Sequence, residues 1–358
     1  MKKMFLTSCA WCLLAVASAQ TDSIPPDEPI DFSQFANASV DNSVKRYCTS
    51  KVLGLSPNKL ISVGYDWQGK HDVLNEISAG GLTFKDNMEV KSASGMRFTA
   101  NVPVVSNTKW LVSVGANYWR VNYNTGGSPP NGYFNNQLKT NGLTTVGLNA
   151  TLFKPLNEKN FILSFISADA NGAFKLDNTQ LGEYLTAPKY TVAAFYGWKR
   201  NDRSMIAFGA SRTYRPGAQG YIPLILFNHT FENKKWGIES LFPARLAVRR
   251  TINTRNLLFF GYELEGNSYS IINTTNPRNN FYNNLELRRS EIRPRITYER
   301  SLYQFIWLSV QLGYRINYNF NVDQGDDLRL LGSDAAYYMT NDLSNTLYFQ
   351  VGINLVSP

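Results

Sequence analysis

Outside its first nineteen residues the chain has no run of about 18 apolar residues, the minimum for a membrane-spanning helix. Cysteine is nearly absent. Cys9 and Cys12 lie in the first nineteen residues, so a chain beginning at Gln20 keeps only Cys48. That excludes an intrachain disulfide and a multi-cysteine zinc site, and leaves Cys48 a packed or tail thiol. Histidine is as scarce: His71 and His229 are the only two, and neither sits in a recognisable Ser-His-acid or His-rich metal motif. There is no phosphate-binding or dinucleotide glycine pattern; Gly80-Gly81 and Gly126-Gly127 read as turns. Asp326-Asp327 alone reads as a solvated loop or a weak cation contact. No cofactor, metal site or catalytic residue is therefore expected.

The first nineteen residues have the form of an export signal. Lys2 and Lys3 are the basic end, Phe5 to Val16 the apolar stretch, and Ala17-Ser18-Ala19 a small-residue cleavage site. Neither Cys9 nor Cys12 follows the leucine and small-residue pattern of a lipidated cysteine, so plain cleavage is expected. Residues 20–57 are polar, with Pro25, Pro26 and Pro29 close together, and read as a flexible periplasmic extension; Phe32 and Phe35 are candidates to dock at a barrel mouth. The formal charge is +9, or +7 without Lys2 and Lys3. No Lys/Arg tract is present, which argues against nucleic acid and leaves anionic lipid headgroups or anionic solutes as partners.

What the chain does have, over residues 58–358, is strand-period alternation. It runs through Ile61-Val63-Tyr65-Trp67, Met96-Phe98-Ala100-Val102, Val146-Leu148-Ala150-Leu152 and Leu347-Phe349-Val351-Ile353-Leu355, with small or polar residues between. A water-soluble sandwich could show this period too. Beside an export signal and with no apolar helix, it points to a transmembrane antiparallel up-and-down β-barrel, all-β, in the outer membrane.

Such barrels alternate short turns with long loops. Short turns are expected at 106–108, 157–160, 201–202, 232–235, 253–255 and near Ser301, and long connections at about 124–141, 174–188, 273–283 and 321–344. Parity fails if 236–251 is one strand. It is restored by a break at Phe242-Pro243, because proline cannot donate to a sheet ladder. The even count is then fourteen, or twelve if 220–241 is a hairpin within a loop. In 302–320, Ile306, Leu308, Val310, Leu312, Tyr314, Ile316, Tyr318 and Phe320 share one face, and Ser309, Gln311, Gly313, Arg315, Asn317 and Asn319 the other. A lipid-facing Arg costs about 2–4 kcal/mol at mid-bilayer, so Arg315 is expected inside. Trp67, Tyr118, Trp198 and Tyr318 fit interfacial aromatic girdles.

The one dense ionic group falls on the lumen face of the last third: Arg245, Arg249, Glu263, Glu265, Glu291, Arg293, Arg295 and Glu299, with Arg315. Across Arg288-Arg289-Ser290 the apolar phase slips by one residue, as a bulge would produce. Two uses of these charges stand open: a salt-bridge ladder that fills the lumen, or a constriction that selects solutes.

The segments Trp236–Arg245, Gly261–Tyr269, Ile306-Trp307-Leu308 and Gly313-Tyr314 resemble a family of uncharacterised outer-membrane β-barrel proteins common in Bacteroidota. The resemblance implies an outer-membrane barrel inserted by the barrel-assembly machinery, and carries no established activity. The chain departs from many such barrels by ending Leu355-Val356-Ser357-Pro358, without a terminal aromatic residue. A channel for small polar or anionic solutes is the first functional expectation. A structural or surface-interaction barrel with a plugged lumen is the second, and an outer-membrane hydrolase the third.

Overall fold

The computed structural model describes residues 48–79, 82–126, 133–176, 181–185, 188–214, 217, 219–271, 285–324 and 337–357. Residues 1–19, expected as an export signal, Phe32, Phe35 and the connection expected over 273–283 lie outside the described residues. Strand β1 (Lys59–Gln68) and β2 (His71–Ala79) act as one wall strand broken at Gly69-Lys70, since both pair along the 25-residue β3 (Leu82–Ser106). Likewise β15 (Thr340–Leu343) and β16 (Thr346–Val356) act as one, pairing with β2 and β1 respectively. Between them run β4 (Leu111–Thr125), β5 (Leu143–Pro155), β6 (Asn160–Gly172), β7 (Lys189–Asn201), β8 (Ser204–Thr213) and β9 (Gly220–Thr230). The wall continues with β10 (Trp236–Phe242), β11 (Arg245–Asn253), β12 (Asn256–Ile271), β13 (Leu285–Tyr303) and β14 (Ile306–Gln324). Each pairs with its sequence neighbour, and the β1–β16 and β1–β3 ladders close a barrel of fourteen strands. Closure gives every wall strand two partners, as lipid demands.

The break at Phe242-Pro243 is a turn between β10 and β11, and β9 pairs with both β8 and β10, so residues 220–241 belong to the wall. The last short turn lies at Gln304-Phe305, slightly beyond Ser301. Two of the long connections carry helices: α1 (Tyr133–Asn141) and α2 (Leu181–Leu185).

Five of the short turns share one device. The side-chain oxygens of Asn107, Asn157, Asn201, Asn233 and Asn253 each accept a hydrogen bond from a backbone N–H two residues on, at 2.9–3.0 Å. Asn107, Asn157 and Asn233 also accept from the third residue on. Asparagine makes such turns readily because its amide imitates a backbone carbonyl.

The outward face explains the alternation. Ile61, Val63, Tyr65 and Trp67 on β1 and Leu347, Phe349 and Ile353 on β16 are exposed side by side. On β7 the outward run from Tyr190 to Trp198 covers about 26 Å of strand, and about 20 Å along a barrel axis tilted by 40°. Past this belt, at the loop end, the outward residues become exposed ion pairs, Lys70–Glu89 at 2.7 Å and Lys85–Glu76. The belt therefore ends where charge resumes.

The phase slip near Ser290 has a different origin from a bulge in its own strand. The register shift opposite Ser290 and Glu291 skips Tyr318 on β14, while β13 alternates without interruption. Phe320 consequently turns inward and is fully buried, against its expected place beside Tyr318. Leu285 and Leu287 are also inward, because the interior itself becomes apolar at the loop end.

Beyond Glu263, β12 leaves β11, whose last partner in that direction is Arg245. Its end reaches β6 instead, with Ser270 opposite Gly172 and Ala173 N donating to Ser270 O at 3.2 Å. Lys189 of β7 meets Glu286 of β13 at 3.1 Å, and Ser268 Oγ donates to Gly217 O at 2.8 Å. The ends of β12 and β13 thus reach across to β6 and β7 at the mouth.

Candidate functional site in the barrel interior

Side chains occupy the interior in layers. At the loop end lies an apolar plug: Trp119, Val121, Tyr123, Tyr269, Leu287 and Phe320 surround Phe134 and Leu138 of α1. The helix is pinned by Asn135, whose amide donates to Asn75 Oδ1 at 2.6 Å and to Asp86 Oδ2 at 2.8 Å. It stops at Gly142, with φ +67°, where Gly142 N donates to Leu138 O at 3.0 Å. A Cβ there would lie 2.2 Å from Val121 O. Gly142→Ala combines that clash with the left-handed penalty and is expected to cost at least about 2 kcal/mol, read from the denaturant midpoint.

Below the plug is a buried ionic layer reaching across six neighbouring wall strands. Arg293 Nη1 sits 2.7 Å from Glu265 Oε2 and 3.3 Å from Asp66 Oδ2, while its Nη2 is 2.9 Å from Glu291 Oε2. Arg97 binds Asp66 at 2.9 Å and Glu265 at 2.6 Å. Arg289 Nε donates to Glu291 at 2.8 Å, and its guanidinium rests 4.6 Å from the Trp119 ring; Arg97 lies 5.1 Å from the same ring. Arg315 donates to Gln68 Oε1 and to Ser344 O, both at 2.6 Å. Trp119 thus joins plug to ions, and each arginine either faces a carboxylate or lies on an aromatic ring.

Next comes a cavity of about 410 Å³, lined by Lys59, Asn101, Asn228, Glu239, Arg245, Arg295, Thr297, Glu299 and Gln311. Arg295 pairs with Glu263, and Lys59 with Glu299 at 2.5 Å. Arg245 is exposed within it, with no ion pair at contact distance among the described residues.

The turn end is closed by residues 48–57. Sequence alone suggests a flexible extension up to Pro57, but this part is packed: Cys48 and Val52 are 4% exposed, against Phe153, Phe161 and Phe195. Lys199 Nζ donates to Thr49 Oγ1 at 2.7 Å and to Lys51 O at 2.8 Å. Ser56 donates through N and Oγ to Glu239, which also holds Arg249 at 3.0 Å. Burial pushes the Cys48 thiol up from its ordinary range.

The charges that sequence groups together therefore divide. Glu265, Glu291, Arg293 and Arg315 form the ionic layer; Arg245, Arg295 and Glu299 line the cavity, with Glu263 paired to Arg295; Arg249 serves the closing segment. Lys59, Asp66 and Arg97 complete these groups from outside the last third, and Glu239 and Arg289 belong to them although neither is counted among the lumen charges expected from sequence. Their signal was available: Asp66 and Arg97 are polar positions inside the alternation of β1 and β3, neighbouring strands that meet the last third of the chain only when the barrel closes. Neither histidine faces the cavity. His71 is buried with Nδ1 2.8 Å from Gly69 O, and the His229 ring stacks on Phe227 and meets Phe231 edge-on.

The class this fold defines is the transmembrane β-barrel: a closed antiparallel wall, apolar outside, with ion pairs inside. No protein-family model and no curated protein matches the chain. Among solved structures it is similar to a KdgM porin in complex with oligogalacturonate, at 7% identity and TM-score 0.32, covering 83% of this chain and 99% of that one. It is also similar to the toluene transporter TodX of Pseudomonas putida, at 9% identity and TM-score 0.35, covering 87% and 95%. The NanC porin matches at 9% identity and TM-score 0.32, covering 80% and 100%.

Proposed function

We propose that the chain is an exported outer-membrane barrel of the channel type, for small polar or anionic solutes, and that the structure is its closed state. The observation that carries this reading is the 410 Å³ cavity with Arg245 exposed inside it, bounded on one side by the ionic layer and on the other by residues 48–57. Passage requires the closing segment to leave, and Glu239 is its latch. The lipid belt and the outward Phe349 and Ile353 of the last strand support membrane insertion through the barrel-assembly machinery. The placement of both histidines supports a non-enzymatic role.

The test is planar-bilayer conductance of the purified chain. Wild type is expected to show rare, small openings, and Glu239→Ala to raise open probability about tenfold, since the loss of a charged hydrogen bond is worth about 1.5 kcal/mol. Complete absence of current in wild type, in Glu239→Ala and in Arg293→Ala/Arg295→Ala would exclude a pore. The apolar plug around α1 favours the second reading in that case, a structural or surface-interaction barrel.

A further inference from the structure

The rim at the turn end is unevenly charged. Three adjacent turns, those joining β7 to β8, β9 to β10 and β11 to β12, place Arg200, Lys234, Lys235, Arg250 and Arg255 on one exposed sector. The acids of that sector are already engaged: Asp202 lies 3.4 Å from Lys199, and Glu232 3.2 Å from Arg203. The five exposed bases have no ion pair among the described residues. The Gln304-Phe305 turn elsewhere on the rim has no base; its flanking Leu302, Tyr303 and Phe305 are exposed and apolar.

Directly toward the belt from these bases the outward surface is apolar and aromatic. Phe227 and His229 stack at 6.0 Å, and His229 meets Phe231 edge-on at 5.0 Å. Trp236 lies between the two zones, with the Arg250 guanidinium 4.8 Å from its ring. Cations at headgroup depth beside an aromatic strip match a molecule with an anionic head and an acyl tail. A free anion would not use the strip, and an acidic protein would not reach into the belt.

We propose that this sector binds anionic phospholipid of the adjoining leaflet, with the phosphate at Lys234, Lys235, Arg250 and Arg255 and an acyl chain along Phe227–Phe231. The site rests on the membrane assignment made above. Juxtamembrane bases attract anionic lipid, so four of them on one sector give a measurable preference.

The test is native mass spectrometry of the full chain released from nanodiscs of equal dioleoylphosphatidylglycerol and dioleoylphosphatidylcholine. Wild type is expected to retain the glycerol lipid about tenfold over the choline lipid. Lys234→Ala/Lys235→Ala/Arg250→Ala/Arg255→Ala should reduce this to near equality, while Lys109→Ala/Lys159→Ala, on other turns, should not. Raising salt from about 50 to about 500 mM should weaken the wild-type preference without any substitution. Equal retention of both lipids by wild type, or an undiminished preference in the quadruple variant, overturns the site. Failure of wild type to enter the nanodisc bilayer at all is a different result, and overturns the membrane assignment together with the site.

Discussion

Arg293→Ala is expected to lower the stability of the barrel by about 3–5 kcal/mol, seen as a fall in the urea midpoint followed by tryptophan fluorescence in lipid vesicles. Arg293 is 1% exposed and touches Asp66, Glu265 and Glu291, of which Asp66 and Glu291 are themselves at or near full burial. Removing it leaves three carboxylates competing for Arg97, Arg289 and Arg315. The penalty measures stranded charge; the intact layer's net contribution is smaller, because burying each ion already costs several kcal/mol. Arg245→Ala is the control. Its side chain is exposed to the cavity, so its effect should stay within about 0.5 kcal/mol. A cost for Arg293→Ala under about 1 kcal/mol would mean that water reaches the layer and that its ion pairs are screened.

The second large effect concerns the closing segment. In a chain beginning at Gln20, Cys48 is the one thiol, and it is buried and held up in pKa by that burial. It should react slowly with a maleimide at neutral pH while the barrel is folded, since the thiolate is the nucleophile. Val52→Asp puts a carboxylate among Phe153, Phe161 and Phe195, at a cost of about 2–3 kcal/mol that is relieved when the segment leaves. The reaction of Cys48 should then accelerate about 30- to 150-fold, with heat-modifiable migration of the barrel unchanged. Unaltered reactivity would show that residues 48–57 detach freely even in wild type or stay bound despite the charge; the wild-type rate, fast or slow, distinguishes these.

Wall and interior differed in how far sequence exposed them. The wall followed from local rules: period-two alternation, the parity of short and long connections, and a proline that could not sit in a ladder, which together left twelve or fourteen strands, and the barrel has fourteen. Arg315 was placed inside by the cost of charge in lipid, and it is there. The interior resisted because it is made by closure. Asp66 and Arg293 stand 227 positions apart and meet only across a completed ring. The bulge was located correctly along the axis but belongs to β14, because an apolar interior imitates a phase slip when outward positions turn polar at the same height. Residues 48–57 looked like linker because a segment with one valine, two leucines and a cysteine has no periodicity to announce its burial.

The asparagine turns have a consequence for how such a chain can change over generations. Each sets the alignment of its own two strands from within, using a side chain and backbone N–H groups of the same hairpin. A duplicated or deleted hairpin would therefore bring its alignment with it and leave its neighbours' alignment intact. Ancestral enlargement or shrinkage by strand pairs is mechanically easy along Asn107 to Asn253. It is hard beyond that point, where the ionic layer ties β12, β13 and β14 to β1 and β3 and Arg293 lies over the Tyr348 ring of β16 at the seam.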